Sequence, residues 1–591
     1  MRGLKNILVI TLVLLVGCKD NESVQGGNVP EVPSNPEMPA YSNVFISTDK
    51  AAYAPGDKVL FTIEGSSLPA GAMVRYKHLN DVIREETISG VNWEWSTPTN
   101  DFKGYVAEVF SFEGDQETIL ATIGIDVSSD WTKFPRYGFL SDYGIKSDAE
   151  IQSVIDNLQR HHINGLQFYD WHNKHHKPLP IVNGKPASQW KDIINKDVYL
   201  STVESYIDAA HAANMKAMFY NLIFGAWDDA EADGVGKEWF VYKDNTHSNR
   251  DFHPLGAPFL SNLYLLDPSN PLWQAYIAVE NDVVYQNLAF DGYHMDQLGD
   301  RGDTYKYDGS RLYLNQSYQS FIEAMKQAAP EKDVVMNAVS QYGQQNIAQA
   351  SPDFLYTEVW TWSYKSYNDL AGIIKQNNVY SNYKKNTVLA AYMNYDLADN
   401  KGYFNTPAVL MTNAVIFAHG GAHLELGEHM LGKEYFPNSN LAMRPDLKSA
   451  MVEYYDFLVG YENVLRDGGE FNTVDVTSID GKLPVSKVVG TTGTVSVIGR
   501  EFEGSQIIHF INFKDANSSE WRDDTGSQSV PGLISDAKVS VAVENTVSKI
   551  WVASPDIIGG ASWELNFNQG NGVVTFTLPR LKYWSMVVIE Y

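Results

Sequence analysis

Between residues 130 and 470 the chain repeats one pattern: a short apolar run, a polar ending, then an amphipathic stretch. Eight such runs can be counted, at 137–140, 165–169, 217–222, 292–296, 334–339, 354–360, 388–394 and 422–426. Helical periodicity lies between most of them, at 148–160, 203–213, 318–329, 367–375 and 407–418. Strands alternating with helices must pair in parallel, because each helix carries the chain back to the edge it left. Eight units over about 330 residues predict a (β/α)8 TIM barrel with long loops. Residues 225–270 read as a large insertion after the third strand, and a helix over 447–463 as the closing element.

The flanks obey a different rule. From 44 to 128 the runs are short, rich in Val, Ile, Phe and Tyr, and spaced by about ten residues, which predicts an N-terminal immunoglobulin-like β-sandwich. The same pattern returns over 471–591 and predicts a C-terminal antiparallel β-sandwich. At the start, Arg2 and Lys5 precede an apolar run from Ile7 to Val16, then Leu15-Val16-Gly17-Cys18. A basic start, a short apolar run and small residues make a signal peptide rather than a membrane span. Leu-Val-Gly-Cys resembles a bacterial lipobox, so Cys18 is expected to be lipidated and to hold the protein on a membrane. Cys18 is the single cysteine of the chain, which excludes a disulfide framework and a cysteine metal site. Lys19-Asp20-Asn21-Glu22 resembles the acidic patch of surface-exported lipoproteins, so a cell-surface, outer-membrane position is expected. Pro30, Pro33, Pro36 and Pro39 mark 19–41 as a flexible tether. The expected domains are therefore 1–18, 19–41, 42–129, 130–470 and 471–591. A formal charge of −27 offers no basic face for nucleic acid.

Polar residues gather where the predicted strands end. They are Tyr169, Asp170, Trp171 and His172 after the second, Asn221 on the third, and His294, Asp296 and Gln297 on the fourth. Asn337 follows on the fifth, Glu358 and Trp360 on the sixth, Tyr392 and Asn394 on the seventh, and Glu425 on the eighth. In a (β/α)8 barrel that end carries the chemistry. Amides and carboxylates bond hydroxyls, and rings stack on the apolar faces of sugars, so this rim suits a neutral polyol. Asp296 and Glu358 sit on alternate strands, whose side chains share a layer, so they can approach the ~5–5.5 Å of a retaining glycosidase. The residues alone leave open which is nucleophile and which is acid.

His172, His175 and His176 lack the spacing of a zinc helix, and Asp300, Asp303 and Asp308 miss the calcium-loop pattern. Neither a metal nor an organic cofactor is expected. Trp227, Trp239, Trp360 and Trp362 are candidate sugar platforms.

Several longer motifs resemble glycoside hydrolase family 66, the dextranases and cycloisomaltooligosaccharide glucanotransferases. They are Asp130-Trp131-Thr132-Lys133-Phe134-Pro135-Arg136-Tyr137-Gly138-Phe139, Asn164-Gly165-Leu166-Gln167-Phe168-Tyr169-Asp170-Trp171 and Gly292-Tyr293-His294-Met295-Asp296-Gln297-Leu298-Gly299. Tyr356-Thr357-Glu358-Val359-Trp360, His423-Leu424-Glu425-Leu426-Gly427-Glu428-His429-Met430-Leu431 and Glu434-Tyr435-Phe436-Pro437 complete the set. The resemblance implies a retaining nucleophile at Asp296, an acid/base at Glu358 and a third acid in the substrate pocket at Asp170. It implies internal cleavage of the α-1,6 links of dextran to isomaltooligosaccharides. Cyclising members carry a carbohydrate-binding insertion after the seventh strand; here Asn394 reaches Pro407 directly, so the resemblance is closer to the dextranases. The rival expectations are a transglycosylase and a non-catalytic surface glycan-binding lipoprotein. Other glycan-uptake lipoproteins are the expected protein partners.

Overall fold

The computed structural model describes residues 29–65 and 67–591. The expected signal peptide and Cys18 lie outside the described residues. The core of the molecule is a set of eight short parallel strands. These are β1 (Tyr137–Leu140), β2 (Gly165–Phe168), β3 (Lys216–Leu222), β4 (Gly292–Asp296), β5 (Asp333–Met336), β6 (Leu355–Glu358), β7 (Thr387–Ala390) and β8 (Ala422–His423). β1 to β5 pair in sequence, as do β6 to β8. A parallel bridge from Asn337 to Tyr356 joins β5 to β6. Another from Phe139 to Gly427, with Phe139 N donating to Leu426 O at 3.1 Å, joins the continuation of β8 to β1. The pairing thus returns to its start.

One helix follows each strand: α1 (Asp148–Arg160), α2 (Leu200–Ala212), α3 (Pro271–Asn287), α4 (Leu314–Ala328), α5 (Gln344–Gln349), α6 (Tyr367–Tyr380), α7 (Thr406–Ala418) and α8 (Pro445–Gly460). Ser147 with Glu150, and Ser366 with Asp369, form capping boxes at α1 and α6. The start of α3, absent from the sequence-based helices, carries an Asn270 cap and a proline at its first position.

Strand side chains alternate between two clusters, as the period of two requires. Tyr137, Phe139, Met218, Val335, Tyr356, Val388 and Ala390 pack on one another inside the ring. Leu140, Phe168, Phe219, Tyr293, Met295, Met336 and Leu389 pack outward with the helices. Trp131 closes the end where the strands begin; its Nε1 donates to Asp333 Oδ2 at 2.7 Å, and Gly165 passes so near its ring that a Cβ would press into it. The ladders of β5 to β8 end two to four residues before the apolar runs do, because the chain there turns into loops while staying buried.

Before the ring, a five-stranded and a three-stranded sheet share a core that includes Val59, Phe61, Val74, Tyr76, Trp95 and Val109. After it, sheets built on Thr494–Phe502 and on Ile534–Ala542 share a core with Val495, Phe510, Val539 and Phe576. Helix α8 is wedged among these parts. Gly124 N of the first sheet donates to Asp456 Oδ1 at 3.1 Å, and Phe457 meets Trp584 of the last edge-to-face at 4.7 Å.

Within the expected tether, 19–28 lie outside the described residues, and 29–41 need correction. Asn35 donates to Thr577 O, Thr577 to Pro33 O and Thr575 to Glu31 O, so the proline stretch lies along the C-terminal sheet. Its prolines keep the chain extended, which leaves its carbonyls free to accept from that sheet's side chains. Ala40–Tyr41 then joins the first sheet as an edge strand. Among the described residues no helix is long and apolar enough to cross a membrane.

Candidate active site

The inward parity of the strands carries polar residues to one mouth. Tyr220 lies two residues beyond Met218, Asp296 two beyond His294, Asn337 two beyond Val335, and Glu358 two beyond Tyr356. Tyr392 keeps the phase past the end of β7. All five line a cleft of about 940 Å³. Asn337 Nδ2 donates to Asp296 Oδ1 at 2.8 Å and to Glu358 Oε2 at 3.1 Å. Since both bonds meet at one nitrogen, the two oxygens can be no further apart than those lengths laid end to end. That bound on the inner oxygens is compatible with the ~5–5.5 Å of a retaining pair. The outer oxygens are held too: Tyr220 OH donates to Asp296 Oδ2 at 2.7 Å, and Tyr392 OH to Glu358 Oε1 at 2.7 Å.

Burial raises the Asp296 carboxyl, while the bonds from Tyr220, Asn337 and the Gln297 backbone pull it back. Glu358 is pushed up to about 7, first by burial and then by the charge of Asp296. The proton of the pair therefore belongs on Glu358 and the charge on Asp296, which accepts the firmer set of hydrogen bonds. Asp170 stands in the same cleft with φ 47, a left-handed conformation that aspartate tolerates better than most residues. Burial, then the charges of Asp192 and Asp296, raise it to about 8.

Of the residues expected from sequence, Tyr169, Asp170, His294, Asp296, Gln297, Asn337, Glu358, Trp360 and Tyr392 line the cleft. Five do not, and each has a physical reason. Asn221 and Glu425 have the wrong parity. Asn221 donates to His175 O, and Glu425 accepts from Asn413 of α7 and Tyr455 of α8. Trp171 is fully buried against Phe219 and Phe290, its indole donating to Tyr220 O at 3.2 Å. His172 is buried beside His175 and Tyr220. Asn394 has left the strand with φ 54 and donates to Asp523 O at 2.7 Å, fastening the loop to the C-terminal part.

Tyr220, Gln167 and His175 also line the cleft although none is among the expected sugar-binding residues; strand parity marks Tyr220 and Gln167. Glu434, Tyr435 and Phe436 close one side, and Leu255, Phe259 and Leu263 bring the 225–270 insertion to it. Of the tryptophans, Trp360 and Trp362 line the cleft, while Trp227 packs on Leu222 and Leu263, and Trp239 on Tyr276. The fold brings Asp229 and Asp233 to His176, with potential metal-ligand atoms within 4.8 Å of one another. Lys174 lies 2.6 and 2.7 Å from those two carboxylates and Lys177 3.3 Å from Asp233, so two lysines already balance the two charges.

A single family model spans most of the chain: glycosyl hydrolase family 66 matches residues 48–588. A cycloisomaltooligosaccharide glucanotransferase of Niallia circulans is 29% identical over 92% of this chain and 71% of its own length. A dextranase of Streptococcus salivarius is 24% identical over 89% and 70%. The crystal structure of a Paenibacillus sp. cycloisomaltooligosaccharide glucanotransferase complexed with cycloisomaltoheptaose superposes with a TM-score of 0.85 at 26% identity, covering 93% of this chain and all of that one.

Proposed function

The chain belongs to glycosyl hydrolase family 66, and from that premise we propose a retaining endo-glycosidase that cleaves internal α-1,6 links of dextran to isomaltooligosaccharides. The proposal includes the architecture expected from sequence, a (β/α)8 barrel over 130–470 between two β-sandwiches. The observation that carries it is the Asn337 amide shared by Asp296 and Glu358. In the first step the Asp296 carboxylate bonds the anomeric carbon as Glu358 protonates the departing oxygen. Water then attacks the glycosyl ester, giving its proton to Glu358, and Asp296 leaves as carboxylate. Two inversions return the α configuration. Asp170, protonated at neutral pH, can donate to a sugar oxygen without adding a charge beside Asp296.

A second reading, transfer to another sugar, is favoured by the higher identity to the glucanotransferases, 29% and 26%, than to the dextranase, 24%. Hydrolysis is favoured by the direct run from β7 to α7, only residues 391–405, where cyclising members carry an insertion. The 715-position alignment to the first relative exceeds this chain's 591 residues, so that relative has stretches without a counterpart here.

A timed dextran digest separates these readings. Hydrolysis gives a rapid fall in polymer length, reducing ends released initially as the α anomer, and linear products. Cyclic products would establish transfer, and initial release of the β anomer would overturn the retaining mechanism. Neither new reducing ends nor cyclic or transferred products would leave the glycan-binding lipoprotein. Lipidation at Cys18, a cell-surface position and work beside other glycan-uptake lipoproteins belong to the same proposal. Radiolabelled palmitate should enter the wild type and not Cys18→Ser.

A further inference from the structure

Arg522 comes from the C-terminal part of the chain, yet it sits behind the cleft wall. It is 5% exposed, and its Nε and Nη2 have no hydrogen-bond partner. The nearest carboxylate, Asp524, stands 3.9 Å away. Its guanidinium instead lies over rings: 4.6 Å from the centroid of Tyr395, 5.3 Å from Trp360 and 5.3 Å from Trp521. A cation withdrawn from water is tolerated when ring faces take the place of its solvent, and arginine is the cation that stacks flat.

What those rings hold is the cleft. Trp360 stacks on Trp362 with centroids 4.4 Å apart and planes 12° from parallel. Trp362 is 69% exposed and lines the cleft. Tyr395 donates its hydroxyl to Glu434, another lining residue. A bare indole on the surface costs hydration free energy and, unsupported, would sample several rotamers. Here it is layered on Trp360, which follows the proposed acid Glu358 by two residues. The stack therefore belongs to the acid's side of the cleft, where the departing sugar lies and where the next acceptor must approach.

We propose that Trp362 is the platform for the glucosyl unit on the leaving-group side, and that Arg522 is a positioning residue that holds it through Trp360. This rests on the glycosidase reading above. The same platform would place a sugar hydroxyl, instead of water, against the glycosyl ester: that hydroxyl gives its proton to Glu358, bonds the anomeric carbon, and frees the Asp296 carboxylate. The loop carrying Arg522 is fastened by backbone groups, with Asn394 N donating to Arg522 O at 2.8 Å, Leu397 N to Asp524 O at 3.1 Å and Tyr367 N to Ser519 O at 3.0 Å. Substitution of the side chain leaves those bonds in place.

The test compares isomaltooligosaccharides with an α-isomaltosyl fluoride, whose leaving group is a single ion that cannot use a platform. In Arg522→Met and Trp362→Ala the ratio of kcat/KM on the oligosaccharide to that on the fluoride should fall about tenfold, the worth of one stacked contact. Most of the fall should appear in KM. Arg522→Lys should recover part of it. With isomaltose added, the fraction of transfer products should drop in both variants. An unchanged ratio, whether both activities fall equally or neither falls, overturns the platform and leaves the glycosidase reading standing. A wild type that cleaves neither substrate overturns the glycosidase reading and takes the platform with it.

Discussion

Asn337 contributes one side chain and couples two carboxylates. Its hydrogen bonds favour the ionised form of both, while the Asp296 charge disfavours ionisation of Glu358. Two substitutions should therefore move Glu358 in opposite directions. Asn337→Ala is expected to raise its midpoint above about 7, and Asp296→Asn to lower it, each read by carbon NMR of labelled glutamate. Equal shifts in one direction would refute the shared-amide account. The wild-type kcat/KM should fall as pH rises through about 7, where Glu358 loses the proton it must donate. Asp296→Asn and Glu358→Gln should each cost more than about a thousandfold in kcat on dextran. Azide added to Asp296→Ala should yield a β-glycosyl azide, because a single displacement inverts.

At the scale of the strand, parity decides function. Asp296 and Glu358 fall on the inward face because they keep step with His294 and Tyr356; Glu425 keeps step with His423 and faces α7 and α8. Glu425→Gln is expected to lower the thermal midpoint while changing kcat/KM less than about twofold, since it lies outside the cleft. A large loss of activity in folded protein would return Glu425 to the site. Gly165 sets the other constraint, because a side chain there meets Trp131. Gly165→Val should destabilise by about 1–3 kcal/mol or more in urea titration. Parity was readable in the sequence for Asn221, Tyr220 and Glu425. The departure of Asn394 was not, because it depends on a left-handed residue and a partner more than a hundred positions away.

Across the whole molecule, Asp456 of α8 gathers three partners from two parts of the chain. It receives Arg160 of α1 at 2.8 Å, His162 at 2.7 Å and Gly124 N of the first sheet at 3.1 Å. Asp456→Ala leaves a buried arginine unpaired and should cost about 3–5 kcal/mol. Several carboxyls are instead raised by burial: Asp170 to about 8, Glu358, Glu428 and Glu453 to about 7, and Asp192, Asp333 and Asp556 to about 6. Each binds its proton more tightly folded than unfolded. Their contribution is complete below the unfolded carboxyl range, near pH 4, and is lost as pH rises through 6 to 8. Buried histidines such as His172, His294 and His419, each lowered to about 3, act the other way up to the unfolded histidine range near 6.5, so the thermal midpoint should decline only from about pH 7 to pH 8, as scanning calorimetry would record. A midpoint rising from pH 7 to pH 8 would contradict the burial of Asp170, Glu358, Glu428 and Glu453.

The sequence by itself determined the order of strands and helices, the change of pattern at residues 130 and 470, and the two acids at strand ends. All of these are periodic or local signals, set by backbone geometry over a few residues. Only the tertiary structure decided that one amide would bridge those acids, that an arginine from a C-terminal loop would stand behind the cleft, and that the proline stretch would lie on the C-terminal sheet. Such contacts join residues far apart in the chain. Their existence depends on how packed elements meet, and no local pattern encodes that distance.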